Sequence, residues 1–156
     1  MTVVGLIADT HGLLRPEVAA IFAGVDLILH AGDVGGADVL AGLRAIAPTE
    51  AVYGNVDDPA DPALRGARRL TLDGVSVHVS HGHELGHPTP ELALARYDAD
   101  IVVFGHTHEA VVVRAAQDRL AVNPGAAGPR RFKLAPSVAK LTLDRGRVEV
   151  EILSIP

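Results

Sequence analysis

The strongest constraint on the fold is a pair of short apolar runs separated by a helical segment. "VVGLIA" (3–8) is a continuous apolar run, as in a strand that is buried on both faces, and "VDLILHAGD" (25–33) is a second buried-strand pattern. Residues 16–22 between them are predicted to form a helix, with proline in the first turn and Gly24 after the end. A second helix is predicted over 38–46. This order predicts a layered α/β fold rather than a helical bundle or a β-sandwich.

The rest of the chain continues the α/β pattern and then becomes mostly strands. The further predicted elements are a strand within 49–57, a hairpin of 68–72 and 75–83 around an Asp-Gly turn, a helix from Pro90 to about Tyr97 capped by Thr89, a strand over 99–104, and two or three strands in the tail. No repeat or linker interrupts the chain, so residues 1–156 are predicted to form one domain.

Composition excludes several classes of protein. Apolar residues make up 48% and charged residues 21%, which is typical of an ordered globular domain. Aromatic residues make up only 3% and the net charge is -5, so we expect no binding of long nucleic acids. There is no cysteine, no signal-peptide pattern and no run near the roughly 18 apolar residues of a membrane span. A cytoplasmic protein without a membrane partner is expected.

Polar side chains with metal-binding capacity follow each of five predicted strands. They are Asp9 and His11, Asp33, Asn55, His81, and His106 with His108. The carboxyl ends of parallel strands lie along one edge of a sheet, so these side chains are expected to meet there. Nitrogen and oxygen ligands without sulfur suit a pair of hard-to-borderline divalent ions such as Mn, Fe, Co, Ni or Zn.

Each of these residues also has an interpretation without a metal. Asp9 alone could cap a turn, Asp33 could form an Asx-turn, and Asn55 could occupy a left-handed turn. His81 alone could be a surface imidazole. These interpretations require separate coincidences, whereas a dinuclear metal site explains all the positions together.

The order of the short motifs resembles that of a known family. Asp-x-His, Gly-Asp, Gly-Asn-x-Asp, His-Gly-His and Gly-His-Thr-His resemble the motifs of the calcineurin-like metallophosphoesterase superfamily. The chain length and "NPGAAGPRR" (123–131) are similar to its small bacterial phosphodiesterase branch, which includes the retromer subunit Vps29. The resemblance implies two central mixed β-sheets flanked by helices. It also implies two divalent metal ions per chain, with manganese as the preferred ion and nickel, cobalt, iron or zinc as alternatives.

The resemblance also implies roles for individual residues. Asp9, His11 and His108 would hold the first ion, Asn55, His81 and His106 the second, and Asp33 would bridge them. The implied activity is hydrolysis of small phosphodiesters by a hydroxide that bridges the two ions. Asn55, His83 and Arg130 are candidates for binding the substrate, and His83 and Asp57 are the candidates for catalytic roles. Asp57 has an alternative role as an acceptor that orients a ligand.

One position departs from the family pattern. Many members have histidine, the usual acid that protonates the leaving group, where this chain has Val56. Because valine cannot donate a proton, we expect a preference for leaving groups that depart unprotonated, such as aryl oxides. His83 could partly replace the missing acid.

Two other functions stay open at this point. Val56 is compatible with a non-catalytic interaction scaffold like Vps29, and the ligand set is compatible with a phosphomonoesterase. A homo-oligomer is expected from the resemblance and the apolar content. Among the other histidines, His30 is expected to be hydrogen-bonded in the core, His78 to face solvent or a neighbouring element, and His87 to lie in a loop.

Overall fold

The computed structural model describes residues 1–131 and 133–156. Its regular elements are β1 (Thr2–Ile7), α1 (Glu17–Ile21), β2 (Leu27–His30), α2 (Ala37–Arg44), β3 (Thr49–Val52), β4 (Leu64–Arg65), β5 (Ala67–Leu72), β6 (Val75–Ser80), α3 (Pro90–Arg96), β7 (Ile101–Val103), β8 (Val111–Arg114), β9 (Leu120–Asn123), β10 (Ser137–Asp144) and β11 (Arg147–Ser154). None of the three helices in these ranges is long and apolar enough to cross a membrane.

The strands form two mixed β-sheets. The first has the order β11-β10-β1-β2-β3-β4, in which β1 to β4 are parallel and β10 and β11 run antiparallel to their neighbours. The second has the order β5-β6-β7-β9-β8, with a parallel centre and antiparallel edge strands. The α/β class predicted from the strand and helix patterns is confirmed, and so are the two mixed sheets that the family resemblance implies.

Three apolar clusters hold the layers together. The largest lies between the sheets and is formed by valine, leucine, isoleucine and alanine, including Leu6, Leu29, Val103 and Val122. A second cluster packs α1 and α2 against the outer face of the first sheet, and a third packs α3 against the second sheet. The core therefore consists largely of aliphatic side chains, as the low aromatic content predicts.

The tail contains four strands, so the expectation of two or three was wrong. The additional element is the β8–β9 hairpin, whose connection has no glycine or proline to mark a turn. Gln117 and Asp118 adopt positive φ angles of 62° and 57° there, which lets the chain reverse without glycine. Such a turn leaves little signal in the sequence.

The candidate ligands lie at the meeting of two sheets, so the expectation of one sheet edge was also wrong. Asp9, Asp33 and Asn55 follow strands of the first sheet, whereas His81 and the two histidines of "GHTH" follow strands of the second. The two edges join where the backbone N–H of Gly105 donates to the carbonyl of His81 and the His81 ring approaches the carbonyl of Ala31. The carboxyl ends of both sets of strands thereby point into one region.

Candidate metal centre

Unusual backbone conformations turn the candidate ligands toward one another. Asp9, His11, Asp33, His106 and His108 have positive φ angles of 53°, 46°, 56°, 75° and 67°. Non-glycine residues rarely adopt this conformation, and they persist in it where the surrounding structure fixes them, often at functional sites. These conformations redirect the chain directly after β1, β2 and β7, so side chains far apart in sequence converge.

The first group of candidate ligands consists of Asp9, His11 and His108. The Oδ1 atom of Asp9 lies 3.5 Å from Nε2 of His108 and 3.8 Å from Nε2 of His11. The three ligand atoms of this group lie within 4.8 Å of one another. Asp9 is completely buried, and its Oδ2 atom accepts a hydrogen bond from the backbone N–H of His106 at 3.1 Å. Oδ1 is thereby turned toward the two imidazoles.

The second group consists of Asp33, His81 and His106, with Asn55 beside them. Nε2 of His81 lies 3.2 Å from Oδ2 of Asp33 and 3.3 Å from Nδ1 of His106. The side-chain oxygen of Asn55 is 3.1 Å from both of these imidazole nitrogens. Four ligand-type atoms from four different strand ends therefore surround one small volume.

Asp33 lies between the two groups. Its Oδ2 atom is 3.2 Å from Nε2 of His81 and 3.6 Å from Nε2 of His11. Its Oδ1 atom accepts a hydrogen bond from the backbone N–H of Val56 at 3.0 Å. One oxygen is thus held by the chain, while the other faces both groups.

Burial and neighbouring charges set the pKa values of these side chains. Burial lowers the pKa of His11 and of His106, which favours the neutral imidazole form that can act as a ligand. The positive charge of Arg131 also contributes to lowering the pKa of His11. Burial opposes ionisation of Asp33, but the hydrogen bond and charge of His81 lower its pKa to about 2. Burial likewise opposes protonation of His81, yet Asp33 and Asp9 raise its pKa above the usual value.

The buried polar atoms of the site fit divalent cations. Within 1–131 and 133–156, Asp9 Oδ1, His11 Nε2 and His108 Nδ1 are buried without a hydrogen-bond partner. A buried carboxylate oxygen without a donor is costly, and a cation would satisfy it. Imidazole nitrogens with carboxylate and amide oxygens form a ligand set for manganese, iron, cobalt, nickel or zinc.

Asp57 supports the loops that carry two of the candidate ligands. Its carboxylate accepts hydrogen bonds from the backbone N–H groups of Val34 at 3.0 Å, Gly35 at 3.0 Å and Gly54 at 2.9 Å. These donors adjoin Asp33 in the loop after β2 and Asn55 in the loop after β3. The structure places Asp57 as an acceptor that joins two loops.

The two remaining sequence candidates, His83 and Arg130, have different surroundings in the structure. His83 begins a single 3-10 turn, and its ring centroid lies 5.4 Å from that of His81 and 6.5 Å from that of His106. The Nδ1 atom of His83 is buried and has no hydrogen-bond partner. Arg130 is exposed and donates to the carbonyl of Lys133, within its own loop.

Two further residues position the site, and the sequence motifs alone did not reveal them. Thr10 connects the first two strands, because its hydroxyl donates to the carbonyl of Val34 at 2.7 Å and lies 2.9 Å from Nε2 of His30. Asn123 fixes the "GHTH" loop by donating to the carbonyl of Gly105 at 3.3 Å and to the hydroxyl of Thr107 at 3.1 Å. Their positions within "DTHG" and "VNPG" were the only available signal.

The other histidines lie outside both groups. His30 is fully buried and hydrogen-bonded in the core, and burial lowers its pKa to about 4. His78 is buried rather than solvent-facing, and its ring stacks on Tyr97 with centroids 4.2 Å apart. His87 is exposed in the loop before α3.

Comparisons with known proteins identify the family. Residues 1–146 match the calcineurin-like phosphoesterase superfamily domain. The chain is 34% identical over 160 residues to a probable metallophosphoesterase of Methanothermobacter thermautotrophicus, covering 96% of this chain and 91% of the relative. It is 27% identical over 139 residues to a phosphodiesterase of Methanocaldococcus jannaschii, covering 78% and 82%.

A solved structure supports the same assignment at the level of the fold. Zinc-bound Vps29 of Entamoeba histolytica superimposes with a TM-score of 0.78 at 24% identity, covering 98% of this chain and 99% of that one. The resemblance that the motifs indicate is therefore confirmed. The chain belongs to the calcineurin-like phosphoesterase superfamily.

Proposed function

We propose that this protein is a metal-dependent phosphodiesterase that hydrolyses small phosphodiesters. The observation that carries the proposal is the pair of ligand groups, Asp9–His11–His108 and Asp33–His81–His106, that meet around one oxygen of Asp33. The similarity to a phosphodiesterase of Methanocaldococcus jannaschii supports a phosphodiester as the substrate rather than a phosphomonoester.

The ligand groups indicate which residues would hold two divalent ions. Asp9, His11 and His108 would hold one, and Asn55, His81 and His106 the other, with Asp33 contacting both. When bound, such an ion pair polarises phosphate oxygens and lowers the pKa of water toward neutrality. We propose manganese as the first choice, with nickel, cobalt, iron or zinc as alternatives; the zinc-bound relative supports a divalent ion of this class.

The chain contributes a fixed and sparsely charged cradle for the phosphate. Asp9 and Asp33 each have one oxygen held by a backbone N–H, so the other oxygen keeps its direction. Asn55 completes the second group without a negative charge, so an anionic diester is repelled less than it would be by a third carboxylate. Arg131, whose charge acts on His11, and the neighbouring Arg130 add positive charge for an anionic substrate.

The acid that would protonate the leaving group is the weakest part of the catalytic set. Val56 follows Asn55 and is 54% exposed, so its side chain is accessible but cannot donate a proton. We propose that His83 contacts the substrate, because its unpartnered Nδ1 atom and its closeness to His81 and His106 leave it available. Leaving groups that depart as stable anions are therefore preferred.

A second candidate function is a protein-interaction scaffold. The exposed apolar side chain of Val56 beside the candidate ligands and the fold similarity to Vps29 favour it. A scaffold does not require the metal-binding residues to support turnover. The two functions therefore differ in whether bound metal produces hydrolysis.

The deciding experiment measures hydrolysis of bis-p-nitrophenyl phosphate by chelator-treated protein while Mn²⁺ is added back. We expect activity to return with Mn²⁺, to disappear in His108→Ala, and to persist in His87→Ala, which changes an exposed histidine outside both groups. Bound metal with no hydrolysis would favour the scaffold. Faster hydrolysis of p-nitrophenyl phosphate, measured in parallel, would make the protein a phosphomonoesterase.

A further inference from the structure

A cavity of about 290 Å³ opens beside the candidate metal centre. Its walls include Tyr53 after β3, Gly66 just before β5, Ala67 at the start of β5, His78 in β6, and His83 with Tyr97. Glu84 and Arg96 contribute one charge of each sign to the lining. The sequence contains two tyrosines, and both line this cavity. Tyr97 is also a buried member of the cluster between α3 and the second sheet, and Tyr53 packs against the cluster on the first sheet, so the two rings are held in place where they meet at the cavity.

The cavity is continuous with the candidate metal centre through a series of rings. His81 belongs to the second ligand group and also lines the cavity. The ring of His83 lies 5.4 Å from that of His81, and the ring of Tyr53 lies 6.4 Å from that of His83. A substrate whose phosphate lies at the metal centre would therefore have one ester group directed along these rings.

The chemistry of the walls suits a flat aromatic group. Aromatic rings supply much of the lining, and two of them, His78 and Tyr97, are fixed against each other with centroids 4.2 Å apart. Tyr53 packs directly against Gly66, where an added Cβ would approach the Tyr53 hydroxyl to 2.8 Å, so the position of this ring is fixed as well. Rigid aromatic walls with a few polar atoms favour ligand rings through offset and edge contacts.

A second cavity of about 340 Å³ adjoins Val56 but suits an anionic ester less well. Its lining contains the carboxylates Asp57, Asp58 and Asp61 against one arginine, Arg44, and it contains none of the candidate ligands. The excess of negative charge would repel a phosphodiester. The cavity lined by both tyrosines is therefore the better subsite.

We infer that this tyrosine-lined cavity binds an aromatic ester group, an aryl ring or a nucleobase, of the phosphodiester held at the metal centre. The inference deepens the proposed function and rests on it for the position of the phosphate. It assigns to Tyr53, His83 and Tyr97 a role in substrate selection that is separate from hydrolysis.

The test compares ligands that differ only in the group directed into the cavity. Phenylphosphonate and methylphosphonate both present a phosphoryl group but are not esters, so binding to the manganese-loaded protein can be measured by calorimetry without turnover. We expect phenylphosphonate to bind about ten-fold more tightly, from burial of the ring. Equal affinities, or no binding of phenylphosphonate, would overturn the inference.

Two matched variants identify the place of binding. Ala67→Phe fills the cavity from an exposed strand position and should bring the affinity ratio close to one. Ala115→Phe places the same ring at an exposed, extended position outside the cavity and should leave the ratio unchanged. An unchanged ratio in Ala67→Phe would overturn the inference.

A second pair of ligands separates the two sources of an aromatic group. If the natural group is a nucleobase, adenosine 5′-monophosphate should compete with phenylphosphonate more strongly than ribose 5-phosphate does. If it is a simple aryl group, only the phenyl preference should be observed. Hydrolysis of bis-p-nitrophenyl phosphate without a phenyl preference would refute the subsite and leave the proposed function intact. A phenyl preference without hydrolysis would refute the proposed function and leave the aromatic binding site intact.

Discussion

Nε2 of His81 lies 3.2 Å from Oδ2 of Asp33, and this contact joins a strand end of one sheet to a strand end of the other. The other ring nitrogen of His81, Nδ1, lies 2.8 Å from the carbonyl of Ala31 and donates to it. This hydrogen bond leaves Nε2 without a proton in the neutral ring, and therefore available to a metal. The orientation of His81 is thus determined by the backbone carbonyl of Ala31 and the carboxylate of Asp33, the two residues that flank Gly32.

Gly32 is predicted to be essential for this orientation. Its φ is +100°, and an added Cβ would lie 2.7 Å from Nδ1 of His81. Gly24 also has a positive φ, +81°, but has open space around its Cβ position. Gly24→Ala should therefore lower the free energy of unfolding by only about 1–2 kcal/mol, the cost of a left-handed backbone conformation for a residue with a Cβ.

Gly32→Ala should lower the free energy of unfolding by at least about 2 kcal/mol more than Gly24→Ala, because it also displaces the His81 ring. Urea denaturation measures the difference, and calorimetry with Mn²⁺ should show weaker metal binding in Gly32→Ala alone. Equal losses of stability in the two variants would mean that the His81 ring adapts freely.

Asp9 is predicted to stabilise the metal-bound protein but not the metal-free protein. Its Oδ1 atom is buried without a donor, so removal of the charge relieves an unsatisfied group. Without metal, the free energy of unfolding of Asp9→Asn should therefore be no lower than that of the unaltered protein. Excess Mn²⁺ should stabilise the unaltered protein by about 3 kcal/mol at a hundred times its dissociation constant, and the variant by much less.

Thermal unfolding with and without chelator provides this measurement. Asp38→Asn, at an exposed position in α2, is the matched control and should behave like the unaltered protein in both conditions. A large loss of metal-free stability in Asp9→Asn would show that Asp9 has a structural role.

Asp57 is predicted to act through structure, by holding the loops after β2 and β3. In Asp57→Asn an amide group replaces one of the oxygens that accept from Val34, Gly35 and Gly54, so at least one donor loses its partner. We expect a loss of about 2 kcal/mol in unfolding free energy and a parallel loss of metal affinity. Asp58→Asn, which affects a single hydrogen bond to Ala60, should have little effect. Loss of turnover with unchanged stability and metal binding would instead indicate a catalytic role for Asp57.

The local parts of this molecule could be predicted from its sequence, and the contacts between distant segments could not. Buried-strand patterns marked β1 and β2, and Thr89-Pro90 marked the start of α3, where the Thr89 hydroxyl accepts from the N–H of Leu92. These features depend on neighbours in the chain. The joining of two sheets at His81 and Asp33 depends on pairing between segments far apart, which periodicity does not encode.

The same limit explains which site residues were missed. The role of Thr10 depends on His30 and Val34, which are 20 and 24 residues away. The meeting of Tyr53 and Tyr97 at one cavity likewise depends on how the first and second sheets pack. The motifs identified the candidate ligands because histidine and aspartate after apolar runs are conspicuous, whereas a threonine or a tyrosine in such a position is not.

Replacement of Val56 by histidine is predicted to widen the range of leaving groups. Val56 is exposed and its backbone N–H already holds Asp33, so Val56→His changes the accessible side chain with little effect on the fold. Cleavage of a dialkyl phosphodiester should rise by about ten-fold or more, while bis-p-nitrophenyl phosphate cleavage should change little. Val56→Leu should alter neither rate. If the unaltered protein already cleaves both diesters equally fast, no acid is missing.

His30 is predicted to make stability depend on pH in the mildly acidic range. The backbone N–H of Gly32 donates to Nδ1 of His30 at 3.1 Å, so a proton on Nδ1 would face another donor. Nε2 can then donate to Thr10, whose hydroxyl donates onward to Val34. This neutral form explains why burial lowers the pKa of His30 from 6.5 to about 4.

Because the unfolded chain binds this proton near pH 6.5 and the folded chain only near pH 4, stability falls as pH decreases through this window. A difference of this size corresponds to about 3 kcal/mol of unfolding free energy between pH 7 and pH 4. The lowered pKa of Asp33, about 2, affects stability only in more acidic solution, below the usual carboxyl range, so the two effects separate. Urea denaturation of metal-free protein across this range should show a shallower pH dependence in His30→Gln. His87→Gln, the same change at an exposed histidine, should retain the full dependence, and equal slopes in the two variants would rule out His30 as the source.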